Sequence, residues 1–147
     1  MKIFIGIQGA GKSSFYRERF FTTHLRLNLD MLKTRHREQI LLEACLAAKQ
    51  PFVVDNTNVR TEERSRYISL ARPAGFRVIV YYFRSDVPAA LARNSQRSGK
   101  AAVPTKALLG TYKRLQLPRL EEGFDRLYYV FLNEANEFQV QEWRDEV

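Results

Sequence analysis

An α/β fold is what these 147 residues predict: three layers, α/β/α, around a parallel central sheet of about five strands, with an antiparallel edge strand accommodated near the C-terminus. Three observations predict it. Strand-sized apolar runs alternate with helix-patterned segments along the chain, which implies a parallel sheet with right-handed crossovers and both faces covered. The glycine-rich stretch "GIQGAGKS", residues 6–13, stands between the first such strand and the first helix. No internal repeat, low-complexity tract or Pro/Gly/Ser linker interrupts the alternation, so residues 1–147 read as one domain.

Residues 2–6 are an apolar strand, 12–20 a helix opened by the glycine loop, and "LRLNL" at 25–29 a second strand with period-two alternation. A long helix over about 31–49 follows, whose stripe Leu41, Ala44, Cys45 and Ala48 has the spacing of a core-facing side. "PFVV" at 51–54 is a third strand, ended by the polar cluster Asp55, Asn56, Thr57 and Asn58. Helix 61–72 is stopped by Pro73 and Gly75, and "FRVIVYYF" at 76–83 is the most strand-like segment of the chain. Ser85 or Asp86 caps a helix over 87–96, with Pro88 tolerated in its first turn. A glycine- and lysine-bearing loop at 97–103 leads to a helix over about 105–116. "LYYVFL" at 127–132 is the last strong strand, and "FQVQEW", after the turn-like "NEANE", folds back as an antiparallel edge.

Apolar residues make up 45% of the chain and charged residues 27%, a globular balance rather than a disordered or membrane one. The N-terminal apolar run is too short, and too soon broken by glycines, for a signal peptide or a membrane span, so a cytoplasmic protein is expected. The one cysteine, Cys45, has no intramolecular partner and reads as a buried thiol. Lys and Arg number 24 against 16 Asp and Glu, and the net charge of +8 favours an anionic partner, nucleic acid or a polyphosphate.

G-x-x-x-x-G-K-[ST] is matched by Gly6, Gly11, Lys12 and Ser13, in the strand-to-helix context that the motif needs. Backbone amides from Gly9, Ala10, Gly11, Lys12, Ser13 and Ser14 can turn toward phosphate oxygens at a helix N-terminus; Lys12 reaches the β/γ-phosphates and Ser13 offers its hydroxyl to Mg²⁺. The fold class is therefore a P-loop NTPase of the adenylate-kinase-like, three-layer type, with ATP or another nucleoside triphosphate and Mg²⁺ as ligands. A chain of this length with a late basic loop fits a simple phosphotransferase better than a motor or switch.

Ligands of such a sheet sit at the carboxyl ends of its strands, which places the glycine loop, Asp30, Asp55 and the segment after residue 83 at one edge. Asp30 is the candidate general base for an acceptor hydroxyl; its structural alternative is the N-cap of the next helix. Asp55 is positioned to hold magnesium or its waters. Asn56, Thr57 and Asn58 are turn formers by type, and Thr57 and Asn58 adjoin Asp55 as candidate substrate contacts. Arg93 and Arg97, in "ARNSQRSGK", lie on one helical face running into a lid region at about 93–104, where they would bring positive charge to the transferring group; a solvated basic face is the alternative. The same choice applies to Lys33, Arg35 and Arg37 behind Asp30.

"GIQGAGKS", "NLDMLK", "VVDNTN" with "RSRYISLARPAGF", "ARNSQR" and "VPTKALLGTYKRLQLPRLEEGFD" together resemble the kinase module of polynucleotide 5′-hydroxyl kinases, over about 130 residues. The resemblance implies transfer of a nucleoside triphosphate's γ-phosphate to the 5′-OH end of DNA or RNA. It implies Asp30 as the general base, Lys33 as the contact to an acceptor phosphate, Arg93 and Arg97 as lid arginines over the donor phosphates, and Asp55 as the aspartate of the D-N-T-N element. Gln8 stands where the family commonly has proline, a change expected to matter little at a position that contributes backbone. Leu29 stands where the family has an arginine, and Lys33 keeps charge but loses a two-pronged phosphate grip. No D-x-D-G-T motif is present, so no 3′-phosphatase activity is expected of this sequence. Two alternatives share the cradle: a kinase of a small metabolite or nucleoside, and a non-catalytic ATP-dependent switch or nucleic-acid-binding module.

Overall fold

The computed structural model describes residues 1–96 and 103–144. Strands β1 (Lys2–Ile5), β2 (Leu25–Leu27), β3 (Phe52–Asp55), β4 (Ile79–Phe83), β5 (Arg126–Leu132) and β6 (Phe138–Glu142) form one sheet in the order β2-β3-β1-β4-β5-β6. The first five run parallel and β6 closes the far edge antiparallel to β5, with Val130 opposite Val140. This is the three-layer α/β P-loop kinase-like fold. The chain order reverses on either side of β1, and that switch point leaves a crevice at the strand ends.

The helices are α1 (Lys12–Arg19), α2 (Leu29–Leu32), α3 (Arg35–Ala48), α4 (Thr61–Ala71), α5 (Val87–Ser95) and α6 (Thr105–Arg114). One sheet face buries Ile3, Ile5, Val54, Val80 and Tyr82 against Leu42 and Cys45 of α3 and Tyr67, Ile68 and Ala71 of α4. The other buries Phe4, Val53, Phe83 and Val130 against Phe15 and Tyr16 of α1, Ala90 of α5 and Leu108 of α6. Each Val, Leu, Ile or Phe side chain among them contributes about 1.5–3 kcal/mol by leaving water. Phe4, Phe15 and Phe83 meet edge-on with ring centroids 5.0–5.7 Å apart, which fixes the helix of the glycine loop on the sheet.

Two expectations need correction. The long helix over 31–49 is two helices, because Lys33 takes φ 75° and closes α2 on Leu29 O, after which Thr34 caps α3 by accepting from Arg37 N at 3.1 Å. That cap resets the helical phase. The core side of α3 is Glu38, Leu42 and Cys45, while Leu41, Ala44 and Ala48 of the expected stripe are exposed. The fourth strand also starts three residues late, at Ile79, since Phe76 N and Gly75 N still bond back to α4 and its C-cap region. Burial pushes the Cys45 thiol up. No helix among the described residues is long and apolar enough to cross a membrane.

Candidate active site

The glycine loop leaves β1 at Ile5 and turns twice through positive φ, at Gly9 (79°) and Gly11 (100°), before α1 begins at Lys12. A β-carbon on Gly9 would lie 3.1 Å from Ala90 O, and one on Gly11 3.2 Å from the Phe138 ring, so conformation and space both demand glycine. Neighbouring elements hold the loop from several sides. Gly6 N donates to Thr57 O (3.0 Å), Ile7 N to Ser85 Oγ (3.3 Å), and Gln8 Nε2 to Thr111 Oγ1 of α6 (3.0 Å). Lys12 Nζ folds over the loop and donates to Gly6 O and Ile7 O, both at 2.8 Å. A glycine turn at a helix N-terminus with an ammonium folded over it is an arrangement that suits an anion.

Ser13, in the first turn of α1, donates from Oγ to Asp55 Oδ2 at 3.2 Å. Asp55 ends β3 and is 1% exposed. Arg26 of β2 completes the group, with Nε 2.8 Å from Asp55 Oδ2 and Nη2 2.8 Å from Ser13 Oγ. Hydroxyl and carboxylate oxygens side by side suit a hard divalent cation. Among the described residues no group of three His, Cys, Asp or Glu could hold a metal by itself, so an ion at Ser13 and Asp55 would draw its remaining ligands from phosphate and water.

Asp30 lies in the first turn of α2 and is exposed. It is not the N-cap. Asn28 is, accepting from Met31 N at 3.0 Å through Oδ1 while its Nδ2 donates to Asp55 O at 2.6 Å. Asn56 pins the same turn from the other side, its Oδ1 accepting from Leu29 N at 2.9 Å and its Nδ2 donating to Glu38 Oε2 at 3.1 Å. The Asp30 turn is therefore tied through backbone and side chains to the strand end that carries Asp55.

Asn58 leaves the candidate set. It is 2% exposed, and its Nδ2 donates to Phe4 O at 2.8 Å, so it staples β1 instead of facing a ligand. Thr57 supplies its carbonyl to Gly6 N. Lys33 is exposed beside the Asp30 turn. Arg93 reaches from α5 to Gly9 O, bonding through Nη1 at 2.5 Å, and with Ala10, Arg84, Asp86, Ala89, Phe131 and Leu132 lines a cleft of about 80 Å³ next to the loop. Arg97 and the middle of the 93–104 lid region, residues 97–102, lie outside the described residues.

A family model matches residues 1–118. The chain belongs to the AAA_33 family, described as an AAA domain. This AAA domain is also similar to a bifunctional polynucleotide phosphatase/kinase of Schizosaccharomyces pombe, 27% identical over 132 residues that make up 87% of the chain and 32% of that protein. It thus spans about a third of the relative's length. In fold it is similar to Kti12 of Chaetomium thermophilum, solved in complex with ADP-AlF3, with a TM-score of 0.64 at 16% identity, covering 92% of each chain. A gluconokinase of Sinorhizobium meliloti 1021 superposes with a TM-score of 0.60 at 20% identity, covering 88% of this chain and 81% of that one. The AAA domain is a P-loop kinase-like domain, and that fold implies nucleotide binding.

Sequence reading did not anticipate several residues of this AAA domain's site. Arg26 sits in a short strand where alternation predicts only a side, not a partner. Glu38 is fully buried and gathers Arg35 Nη1 (2.9 Å), Tyr67 OH (3.0 Å) and Asn56, and burial with that carboxylate alongside pushes the Tyr67 hydroxyl up to about 12. Gln8 does more than lend backbone, since its side chain is what joins the loop to α6. A cleft of about 670 Å³ opens between Tyr82, Tyr129 and α6 residues Tyr112 and Lys113 and includes neither Lys12, Asp30 nor Asp55. A phosphate cradle is shallow because its donors are backbone amides at the surface of a turn.

Proposed function

We propose that this domain is a polynucleotide 5′-hydroxyl kinase, moving the γ-phosphoryl of ATP or another nucleoside triphosphate to the 5′-OH end of DNA or RNA. The observation that carries the reading is the Asp30 turn, pinned by Asn28 to Asp55 O and by Asn56 to Leu29 N, with its carboxylate left exposed at the phosphate-binding edge. Similarity to the fission-yeast phosphatase/kinase supports the choice of acceptor.

The loop amides and Lys12 hold the triphosphate, and Arg93, beside the cradle at Gly9, adds positive charge at the donor phosphates. Ser13 and Asp55 would hold Mg²⁺, which would neutralise negative charge on the donor's β- and γ-phosphate groups. Asp30 orients the acceptor hydroxyl and takes its proton as the new P–O bond forms and the bond to the leaving nucleoside diphosphate breaks. Lys33 and the neighbouring basic residues position the strand through its phosphates, so an end is recognised rather than a sequence, and binding weakens with salt.

The test is transfer of labelled γ-phosphate from ATP with Mg²⁺ to a short 5′-OH DNA or RNA strand, beside the variants Asp30→Asn and Arg97→Ala. Labelled strand that disappears with Asp30→Asn while nucleotide binding persists supports the reading. ATP consumed with nucleosides or sugars but never with a strand makes the domain a small-molecule kinase. Nucleotide binding without turnover on any acceptor makes it a binding module.

A further inference from the structure

Asp55 has almost no contact with water, and the cation that neutralises it belongs to the chain itself. Arg26 contacts both oxygens of the hard-donor pair, at 2.8 Å to Asp55 Oδ2 and 2.8 Å to Ser13 Oγ, while those two oxygens are 3.2 Å apart. The guanidinium therefore occupies the approach through which a divalent ion would reach them. A buried carboxylate without a partner is strongly unfavourable, so the pairing is needed whenever no other cation is present. Arg26 is itself 25% exposed, far less enclosed than Asp55. Its Cζ lies 5.9 Å from the Tyr16 ring centroid, so in this same position the guanidinium also has an aromatic neighbour.

We propose that Arg26 is a resident counter-cation of the metal position, neutralising Asp55 in the absence of a divalent ion and competing with that ion for Ser13 Oγ and Asp55 Oδ2. The proposal rests on the reading of Ser13 and Asp55 as the metal side of the nucleotide site. Two cations cannot share one carboxylate oxygen at contact distance without strong mutual repulsion. Loading of metal and nucleotide therefore displaces Arg26, and the apparent metal affinity is lowered by the fraction of molecules in which the arginine is seated. Nucleotide alone does not supply the displacing charge, which makes the two ligands bind as a pair.

The experiment uses Mn²⁺ as the probe, titrated into the full chain with saturating ADP and read from the electron paramagnetic resonance signal of free Mn²⁺, so no turnover is needed. Arg26→Gln is expected to bind Mn²⁺ about tenfold more tightly than the parent, Arg26→Lys to fall between, and Asp55→Asn to bind about tenfold more weakly. Thermal melts supply the second measurement: Arg26→Gln melts below the parent in EDTA, and the gap closes when Mn²⁺ and ADP are added. Weaker Mn²⁺ binding by Asp55→Asn with unchanged or weaker binding by Arg26→Gln overturns the competition while leaving the metal site standing. If Asp55→Asn leaves Mn²⁺ binding unchanged, the metal reading of Ser13 and Asp55 fails and the proposal with it. If Arg26→Gln does not fold, the Arg26→Lys titration decides by the same comparison with the parent.

Discussion

Arg64 and Glu122 form a two-pronged ion pair across 58 residues of sequence, with Nε–Oε1 at 2.9 Å and Nη2–Oε2 at 3.0 Å. Arg64 of α4 is fully buried, and its Nη1 also donates to Asn58 O and Val59 O. The "EEGFD" segment thereby acquires a structural duty: it neutralises the arginine that supports the backbone just after the Asp55 cluster. Glu122→Gln leaves that guanidinium buried beside a neutral group. Loss of about 3–5 kcal/mol of unfolding free energy is expected, measured by urea denaturation, with little change in nucleotide affinity for whatever fraction stays folded.

Asn56 is expected to act through Asp30. Asn56→Ala removes the acceptor for Leu29 N and the donor to Glu38 Oε2, which loosens the turn that carries Asp30, the base under the proposed function. Turnover on a 5′-OH strand should fall by about ten- to a hundredfold, because misplacing a reacting group by about 1 Å costs up to that scale. The KM for nucleotide should hardly move, since the loop does not depend on Asn56. A rise in nucleotide KM with kcat intact would assign Asn56 to the donor side instead.

Gln8 and Thr111 should behave as one unit. Gln8 Nε2 donates to Thr111 Oγ1, and Gln8 Oε1 is buried without a hydrogen-bond partner in the structure. Gln8→Ala and Thr111→Val are each expected to cost about 1 kcal/mol, and the double variant less than their sum. A double-mutant cycle on thermal stability, repeated with saturating ADP, reads the coupling and shows whether nucleotide strengthens it.

Asp125 sets an acid limit. Its Oδ2 accepts from Val78 N at 2.7 Å, and that bond, followed by Arg72, holds its carboxyl below the usual carboxylate range. A depressed folded-state pKa contributes stability that is present above the unfolded value of about 3.9 and is lost as pH falls through the folded one. Asp125→Asn should therefore lower Tm at pH 7, and the difference from the parent should shrink as the pH is taken below about 4. A difference that stays constant with pH would make the bond, and not the charge, responsible.

The sequence by itself determined the alternation of strands and helices, the glycine loop between β1 and α1, and the placing of Asp55 at a strand end. All of these are local: period, punctuation by glycine and proline, and a motif whose residues are neighbours in the chain. Even the break in the long helix has a local signal in Thr34, a residue type that favours the N-cap position. Tertiary structure alone decided which side chains meet. Arg26 meets Asp55 and Ser13, Glu38 is buried under Asn56, Asn58 turns inward to Phe4 O, and Gln8 finds Thr111 from 103 residues away. Periodicity specifies the face on which a residue sits, whereas partners are chosen by the order in which strands pack, and the sheet order β2-β3-β1-β4-β5-β6 is set by long-range pairing that no short window of sequence contains.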